Sequence, residues 1–405
     1  MKRKRIVFLM SDTGGGHRAA ADAIRAALEL RYPGQYLFEL VDVYRRYTPF
    51  PFTFMPEVYP RWVNAAGTSW GMGFKFANAR YRGQLVMAFI HQFWKQGVRR
   101  LVEKHPGDVI VSVHSLFSRP VMRALNQTQF YRPPFVTVIT DLVSTHAFWY
   151  EPDVERCLVP TQTAYARGLY YGLRPDQMRI TGLPVHPQFM ANLVEKAEAR
   201  RRLGWDPHRP AVLMIGGGDG MGPVYETARA IDAQRLGIQF AIIAGRNRTL
   251  QRRLETSPWN QPTRVYPFVN NMPELMAAAD ILVTKAGPAT ICEACIAGLP
   301  IVLSGAVPGQ EEGNVSYVVD HGAGVYAPSP DAVARTLSGW LAEGPARLAE
   351  RAEQARALGR PNAVWEIADE IHAQAQVEPV RTRLRRRHPR QEPRLRPAPE
   401  DTFLL

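Results

Sequence analysis

One three-part pattern occurs twice in the chain, and that repeat restricts the fold more than any other feature. "RIVFLM", "SDTGGGH" and "RAAADAIRAALEL" read as strand, glycine loop and helix. Much later, "PAVLMI", "GGGDGMG" and "PVYETARAIDAQRLG" read the same way. Both apolar runs are short and unbroken, as expected of parallel strands covered on two faces. "DVIVSVHS" and "FVTVITDL" add strands to the first half, and "QFAIIAGR", "TRVYPFV", "ILVTKAG" and "PIVLSG" to the second, with helical stretches between. Alternating β and α elements predict α/β architecture with doubly wound parallel sheets. At 405 residues the chain is too long for one such sheet, because domains usually run roughly 100–200 residues. The expectation is therefore two facing Rossmann-like domains, 1–188 and 189–376, with a cleft between them. A helix over 191–203 is expected at the join, between "GLPVHPQF" and "RRLGWDPHRP". Ligands of such sheets bind at the carboxyl ends of the strands, where both glycine loops lie.

Two segments depart from this pattern. Residues 44–94 are rich in aromatics, prolines and basic residues. They read either as an irregular helical insertion around an aromatic core or as a membrane-docking surface, since Trp, Tyr and Phe favour the bilayer interface. Residues 377–405 interleave Arg381, Arg383, Arg385, Arg386, Arg387, Arg390, Arg394 and Arg396 with prolines. So few apolar residues cannot offset the ordering entropy, which predicts a disordered basic tail. The net charge of +13 points to anionic partners. Three cysteines in a chain this long argue against a disulfide framework, and Cys292 with Cys295 read as helix core rather than half of a zinc site. The start has only Ile6 to Met10 as an apolar run, too short for a signal peptide, and no stretch reaches the ~18 apolar residues of a membrane span. The expected location is peripheral, on the cytoplasmic face of a membrane.

Neither glycine loop is a P-loop, for neither has the Lys-[Ser/Thr] pair, and neither keeps the GxGxxG spacing with its downstream acid. Glycines after a strand still let backbone N–H groups approach a phosphate, with the next helix adding a positive dipole end. That reading suits "GGGDG". In the first loop His17 stands at the helix start, where the dipole disfavours its protonated form. Two readings stay open there: a neutral imidazole acting as general base, and a capping or surface histidine. In the second half Lys285 and Gly287 follow one strand, Glu293 lies within the next helix, and Gln310, Glu311 and Asn314 follow another strand. Their chemistry suits a nucleotide sugar, with carboxylate and amide groups for ribose and hexose hydroxyls and backbone amides for a diphosphate.

These residues carry a resemblance. In "SDTGGGHRAAADAI", "YTPFPF", "TVITDLVSTHAFWYEPDVERCLVPT", "ITGLPVHPQF", "GGGDGMG", "FVNNMPELMAAADILVTKAGPATICEA" and "GLPIVLSGAVPGQEEGNVSYVV" the chain resembles the monogalactosyldiacylglycerol synthases and processive diacylglycerol glucosyltransferases. That family belongs to the GT-B glycosyltransferases, of the family 28 type. The resemblance runs from about residue 5 to about 375, and its last two motifs look more like the galactolipid synthases. It implies that His17 deprotonates a glycerol hydroxyl. It implies that Gly216, Gly217, Gly218 and Gly220 hold a UDP diphosphate, that Phe268 and Val269 meet the uracil, and that Glu293 binds the ribose. Gln310 and Glu311 would hold the hexose with Asn314 in support, and Lys285, Gly287 and Pro288 would shape the phosphate side. Gly15, Gly16, Pro49, Phe50, His146 and Trp149 would lie on the acceptor side, with the aromatic insertion facing the membrane.

The implied reaction is inverting transfer of a hexose, galactose favoured over glucose, from a UDP-sugar to diacylglycerol. The chain has no Asp-x-Asp, so no obligatory metal or other cofactor is expected beyond the UDP-sugar co-substrate. The expected partners are UDP-hexose, diacylglycerol and an anionic membrane surface. Two enzyme alternatives keep the fold: a UDP-N-acetylglucosamine 2-epimerase and a lipid II-type N-acetylglucosaminyltransferase. A basic nucleic-acid-binding protein is the non-enzyme alternative, disfavoured because the arginines concentrate in the tail and no RNA-binding motif appears.

Overall fold

The computed structural model describes residues 3–13 and 15–382. Its first sheet holds β1 (Lys4–Met10), β2 (Tyr36–Asp42), β3 (Val109–Ser112), β4 (Phe135–Val138), β5 (Arg156–Val159) and β6 (Met178–Ile180). Its second holds β7 (Ala211–Ile215), β8 (Gln239–Ile243), β9 (Thr263–Tyr266), β10 (Ile281–Lys285), β11 (Ile301–Gly305) and β12 (Gly324–Tyr326). Every pairing in both sheets is parallel. Parallel neighbours need crossovers, and the crossover helices cover both faces. The unbroken apolar runs follow from this. In β1, Val7 and Leu9 enter one core layer while Ile6, Phe8 and Met10 enter the other. In β7, Leu213 and Ile215 face one layer, Val212 and Met214 the other.

The two six-stranded sheets differ at their edges. The second runs β9-β8-β7-β10-β11-β12, the order of a dinucleotide-binding sheet. The first runs β2-β1-β3-β4-β5-β6: it lacks the outer strand beyond β2 and carries one more, β6, at the opposite edge. After β2 the chain instead enters a short helix, Val43–Tyr47, and then two long ones, Met55–Ala77 and Arg80–Lys104. The segment expected to be an irregular insertion is thus mostly regular helix, with one internal kink at Ala66 (φ −146°, ψ 48°). Helix Arg80–Lys104 buries Met87, Trp94, Val98 and Leu101. Its other side exposes Tyr81 (68%), Leu85 (72%), Phe89 (63%) and Phe93 (53%), a stripe with one apolar side chain every fourth residue. Among the described residues no helix is long and apolar enough to cross a membrane.

Three boundaries need correction. The last helix, Ala363–Ala375, was expected in the second domain but packs on the first sheet: Val364, Ile367, Ala368, Ile371 and Ala375 join Ile6, Phe8, Ile24 and Leu28. An apolar stripe with this spacing demands cover without naming what supplies it. The helix expected over 191–203 is two helices, Pro187–Ala191 and Lys196–Leu203. The expected tail keeps ordered structure at its start, for Val380–Arg381 pairs antiparallel with Tyr131–Arg132, and Thr382 N donates to Phe130 O at 2.9 Å. Arg383 and the arginines after it lie outside the described residues.

Candidate active site

Both glycine loops open at the carboxyl ends of their sheets. Gly15 caps helix Gly16–Arg31, so His17 occupies its first turn, partly buried. The His17 ring lies 4.5 Å from that of His114 and 6.2 Å from Trp149, centroid to centroid. His17 Nδ1 meets Thr140 Oγ1 at 2.9 Å, and that hydroxyl reaches the Val113 carbonyl at 3.3 Å. A carbonyl only accepts, so the hydroxyl proton goes to Val113 and the hydroxyl accepts from Nδ1–H. The tautomer that follows leaves Nε2 unprotonated. Burial pushes the His17 pKa down to about 4, so the ring is neutral at physiological pH. The sequence argument expected neutrality from the helix dipole; burial of the ring lowers its pKa, against a backbone hydrogen bond to Val113 that raises it.

Beside this pocket lies Asp141. Trp149 Nε1 donates to its carboxylate at 2.7 Å. Burial pushes its pKa up to about 6, against hydrogen bonds from Trp149 and Gln310 that favour the charged form. Other acceptor-side candidates do not join this cluster. His146 accepts from Phe148 N at 3.2 Å, caps the 147–149 turn and packs edge-on against Phe74 at 4.7 Å. Phe50 is exposed and meets Phe54 at 6.3 Å, and Pro49 beside it is half-buried.

The second loop is tightly folded. Gly220 has φ +59°, and a Cβ there would lie 2.5 Å from the Ala244 carbonyl, so only glycine fits. Lys285, Gly287, Glu311 and Gly217 gather beneath it. A Cβ on Gly217 would lie 3.4 Å from Lys285 Cε, and one on Gly287 3.2 Å from Lys285 Nζ. Lys285 pairs with Glu311, which also accepts from Val307 N at 2.9 Å. Each carboxylate oxygen keeps a lone pair for a further hydroxyl. Glu293 faces no partner: among the described residues it makes no hydrogen bond or ion pair, and burial pushes its carboxyl up to about 7. Pro288 opens the helix that carries it, Pro288–Ala297. Val269 packs on the core of the second domain, while Phe268 is exposed under the Arg246 guanidinium at 4.7 Å.

Several contacts close the cleft. Val143 N donates to Asn314 Oδ1 at 3.2 Å, while Asn314 Nδ2 donates to Ala286 O at 2.9 Å. Gly313 N donates to Ser144 Oγ at 2.9 Å. Arg246 pairs with Asp219 at 3.1 Å, and its Nη1 lies 3.5 Å from where a Cβ on Gly218 would be and 3.9 Å from one on Gly15. One guanidinium therefore stands against both glycine loops.

A family profile described as monogalactosyldiacylglycerol (MGDG) synthase matches residues 17–185, and the glycosyltransferase family 28 C-terminal domain matches residues 211–368. Monogalactosyldiacylglycerol synthase 1, chloroplastic, of Arabidopsis thaliana is 39% identical over 377 residues, covering 91% of this chain and 70% of that one. The chain belongs to the monogalactosyldiacylglycerol synthase family. It is a glycosyltransferase, and its fold is GT-B. MurG of Acinetobacter baumannii superposes with a TM-score of 0.58 at 16% identity, covering 91% of this chain and 99% of that one. The UDP-GlcNAc 2-epimerase of Neisseria meningitidis gives 0.59 at 13%, covering 91% and 100%. Transferase and epimerase share this architecture, so the fold alone does not choose between them.

Sequence reasoning passed over three residues of this synthase-family site. Arg246 follows β8 in "AGRN", and Asp141 follows β4 in "VITDL"; a charged residue just past a parallel strand was a usable signal for both. Tyr59, whose hydroxyl reaches Gln310 at 2.9 Å, gave no such signal, because only folding brings its helix to the other domain.

Proposed function

We propose that the protein transfers a hexose, galactose in preference to glucose, from a UDP-sugar to the free hydroxyl of diacylglycerol, giving a β-glycosyl diacylglycerol. The observation that carries this reading is the pairing of a neutral His17, Nε2 unprotonated, with a glycine loop and guanidinium across the same cleft. The acceptor oxygen attacks the anomeric carbon as the bond from that carbon to the β-phosphate oxygen breaks. The hydroxyl proton passes to His17 Nε2, and one displacement inverts the α-linked donor. Charge growing on the UDP is met by the backbone N–H groups of Gly216 to Gly220 and by Arg246. An incoming diphosphate raises the low pKa of His17 toward the range a general base needs. Glu293 takes the ribose hydroxyls, and Gln310 with Glu311 takes those of the hexose. With these groups neutralising the leaving group, no obligatory metal is required.

The exposed stripe of helix Arg80–Lys104, on a chain of net charge +13, supports peripheral docking on an anionic bilayer, with acceptor entry from that side. The test supplies UDP-galactose, UDP-glucose or UDP-N-acetylglucosamine to the purified protein, with diacylglycerol in anionic vesicles and EDTA present, and identifies the products. A β-galactosyl diacylglycerol is expected. Epimerised UDP-sugar in the absence of lipid, with no glycolipid in its presence, would overturn the reading.

A further inference from the structure

Helix Met55–Ala77 belongs to the acceptor-side insertion, yet one of its faces is seated on the loop that follows β11 in the other domain. A Cβ on Gly71 would lie 2.7 Å from Pro308 Cβ, so this close approach requires glycine. The Phe74 ring lies 3.0 Å from where a Cβ on Gly309 would be, and Lys75 pairs with Glu312 at 3.0 Å. Tyr59, at the start of the same helix, donates its hydroxyl proton to Gln310 Oε1 at 2.9 Å. The Tyr59 ring is fixed edge-on against Trp70 at 4.9 Å, and Trp70 against Trp62 at 5.4 Å. Gln310 also faces the Asp141 carboxylate of the first domain, close enough to favour its charged form. The hexose-side amide is thus held from two other places in the chain.

We propose that Tyr59 is a positioning residue for hexose selectivity: its hydroxyl locks the Gln310 carboxamide in one of its two orientations, so the acceptor-side helix helps decide which sugar is taken. This rests on the reading of Gln310 as a hexose contact. A carboxylate only accepts, so Asp141 calls for the NH2 end of the amide and turns the carbonyl toward Tyr59. The Tyr59 proton then occupies one carbonyl lone pair. What remains for the sugar is one N–H and one lone pair in fixed directions. Galactose and glucose differ only in the direction of the C4 hydroxyl, and a fixed donor–acceptor pair separates them where a freely turning amide does not. Without the Tyr59 hydroxyl the part-buried carbonyl lacks that donor and turns to whichever hydroxyl the bound hexose offers. The outer face of this helix exposes Val58, Trp62, Met72 and Phe76, so one element presents apolar side chains outward and reaches the sugar site inward.

The test compares wild type with Tyr59→Phe, using UDP-galactose and UDP-glucose as alternative donors with diacylglycerol vesicles, and UDP affinity as the measure of an intact donor domain. The ratio of kcat/KM for the two donors is expected to fall toward unity by about tenfold or more, with UDP affinity unchanged within about twofold. Asp141→Asn, which no longer dictates which end of the amide it receives, is expected to shift the ratio the same way. An unchanged ratio in Tyr59→Phe overturns the proposal. So does an equal loss for both donors together with weakened UDP binding, which marks a merely structural role. The two UDP-hexoses are also compared by calorimetry without acceptor. If the wild type binds both yet transfers neither, the functional reading fails while the Tyr59 proposal is still decided by the binding ratio.

Discussion

After β1, glycines hand the chain to His17, among Thr140, His114 and Trp149; after β7, glycines hand it to Asp219 and a helix, above Lys285 and Glu311. The two loops share a backbone plan and differ in what surrounds them. Around the first are aromatic rings and carbonyl acceptors, which desolvate an imidazole and fix its tautomer. Around the second are cations and open amides, which suit an anion. Strand–glycine–helix is thus a way to bring backbone close to a ligand, and the neighbours decide which ligand. Arg246 follows β8, pairs with Asp219 of the second loop and lies against the place of the first, so it marks where the two chemistries meet.

The comparison breaks most sharply at His17. His17→Ala is expected to lower turnover by about 10²–10⁴-fold, the usual range for a lost general base, with UDP affinity within about twofold. If turnover persists, or if UDP affinity collapses with it, the division of labour between the loops is wrong. Next comes Arg246→Ala. A charge-assisted contact of about 1.5–3 kcal/mol corresponds to UDP binding weaker by about ten- to a hundredfold, with uridine affinity nearly unchanged. Equal losses for UDP and uridine would move Arg246 from the diphosphate to the base side, where it covers Phe268.

Glu293 sharpens the second loop. Burial pushes its carboxyl up to about 7, so it is protonated below that pH and offers fewer lone pairs to the ribose. UDP affinity is therefore expected to rise as pH increases through about 7, and Glu293→Gln to flatten that profile while weakening binding by about tenfold. A profile identical in wild type and variant would remove Glu293 from the nucleotide site. The last test concerns the link between domains and reads stability, with no change expected in the chemistry of either loop. Asn314→Ala orphans Val143 N and Ala286 O, at roughly 1–3 kcal/mol each, and is expected to lower the midpoint of thermal unfolding. An unchanged midpoint would mean that these bonds are replaced by water.

Much of the fold was legible because its signals are local. Apolar runs of strand length marked β1 and β7, and a residue's place after a strand put Lys285, Gly287 and Glu311 at the same end of the sheet. His17 was visible but ambiguous, since a histidine at a helix start looks the same whether it caps or catalyses. His146 and Phe50 entered the acceptor set through the resemblance of "STHAFWY" and "YTPFPF"; their ring neighbours in the fold, Phe74 and Phe54, could not be read from those motifs. Tyr59 was passed over for the converse reason: it is remote in sequence from Gln310 and adjacent to it in space.

The sequence alone determined the two parallel sheets, because a strand buried on both faces must be apolar throughout and a parallel strand must be followed by a crossover. It also determined where the chemistry lies, at the carboxyl ends, because the loops that follow parallel strands gather at one end of the sheet and both glycine clusters stand in such loops. Only the tertiary structure decided which groups meet across the cleft: the His17 tautomer, Arg246 against both loops, Tyr59 on Gln310, and the last helix on the first sheet. Those contacts depend on how two domains and an insertion pack together. Packing partners are chosen by shape and by satisfied polar groups, neither of which is written in the spacing of residues along one element.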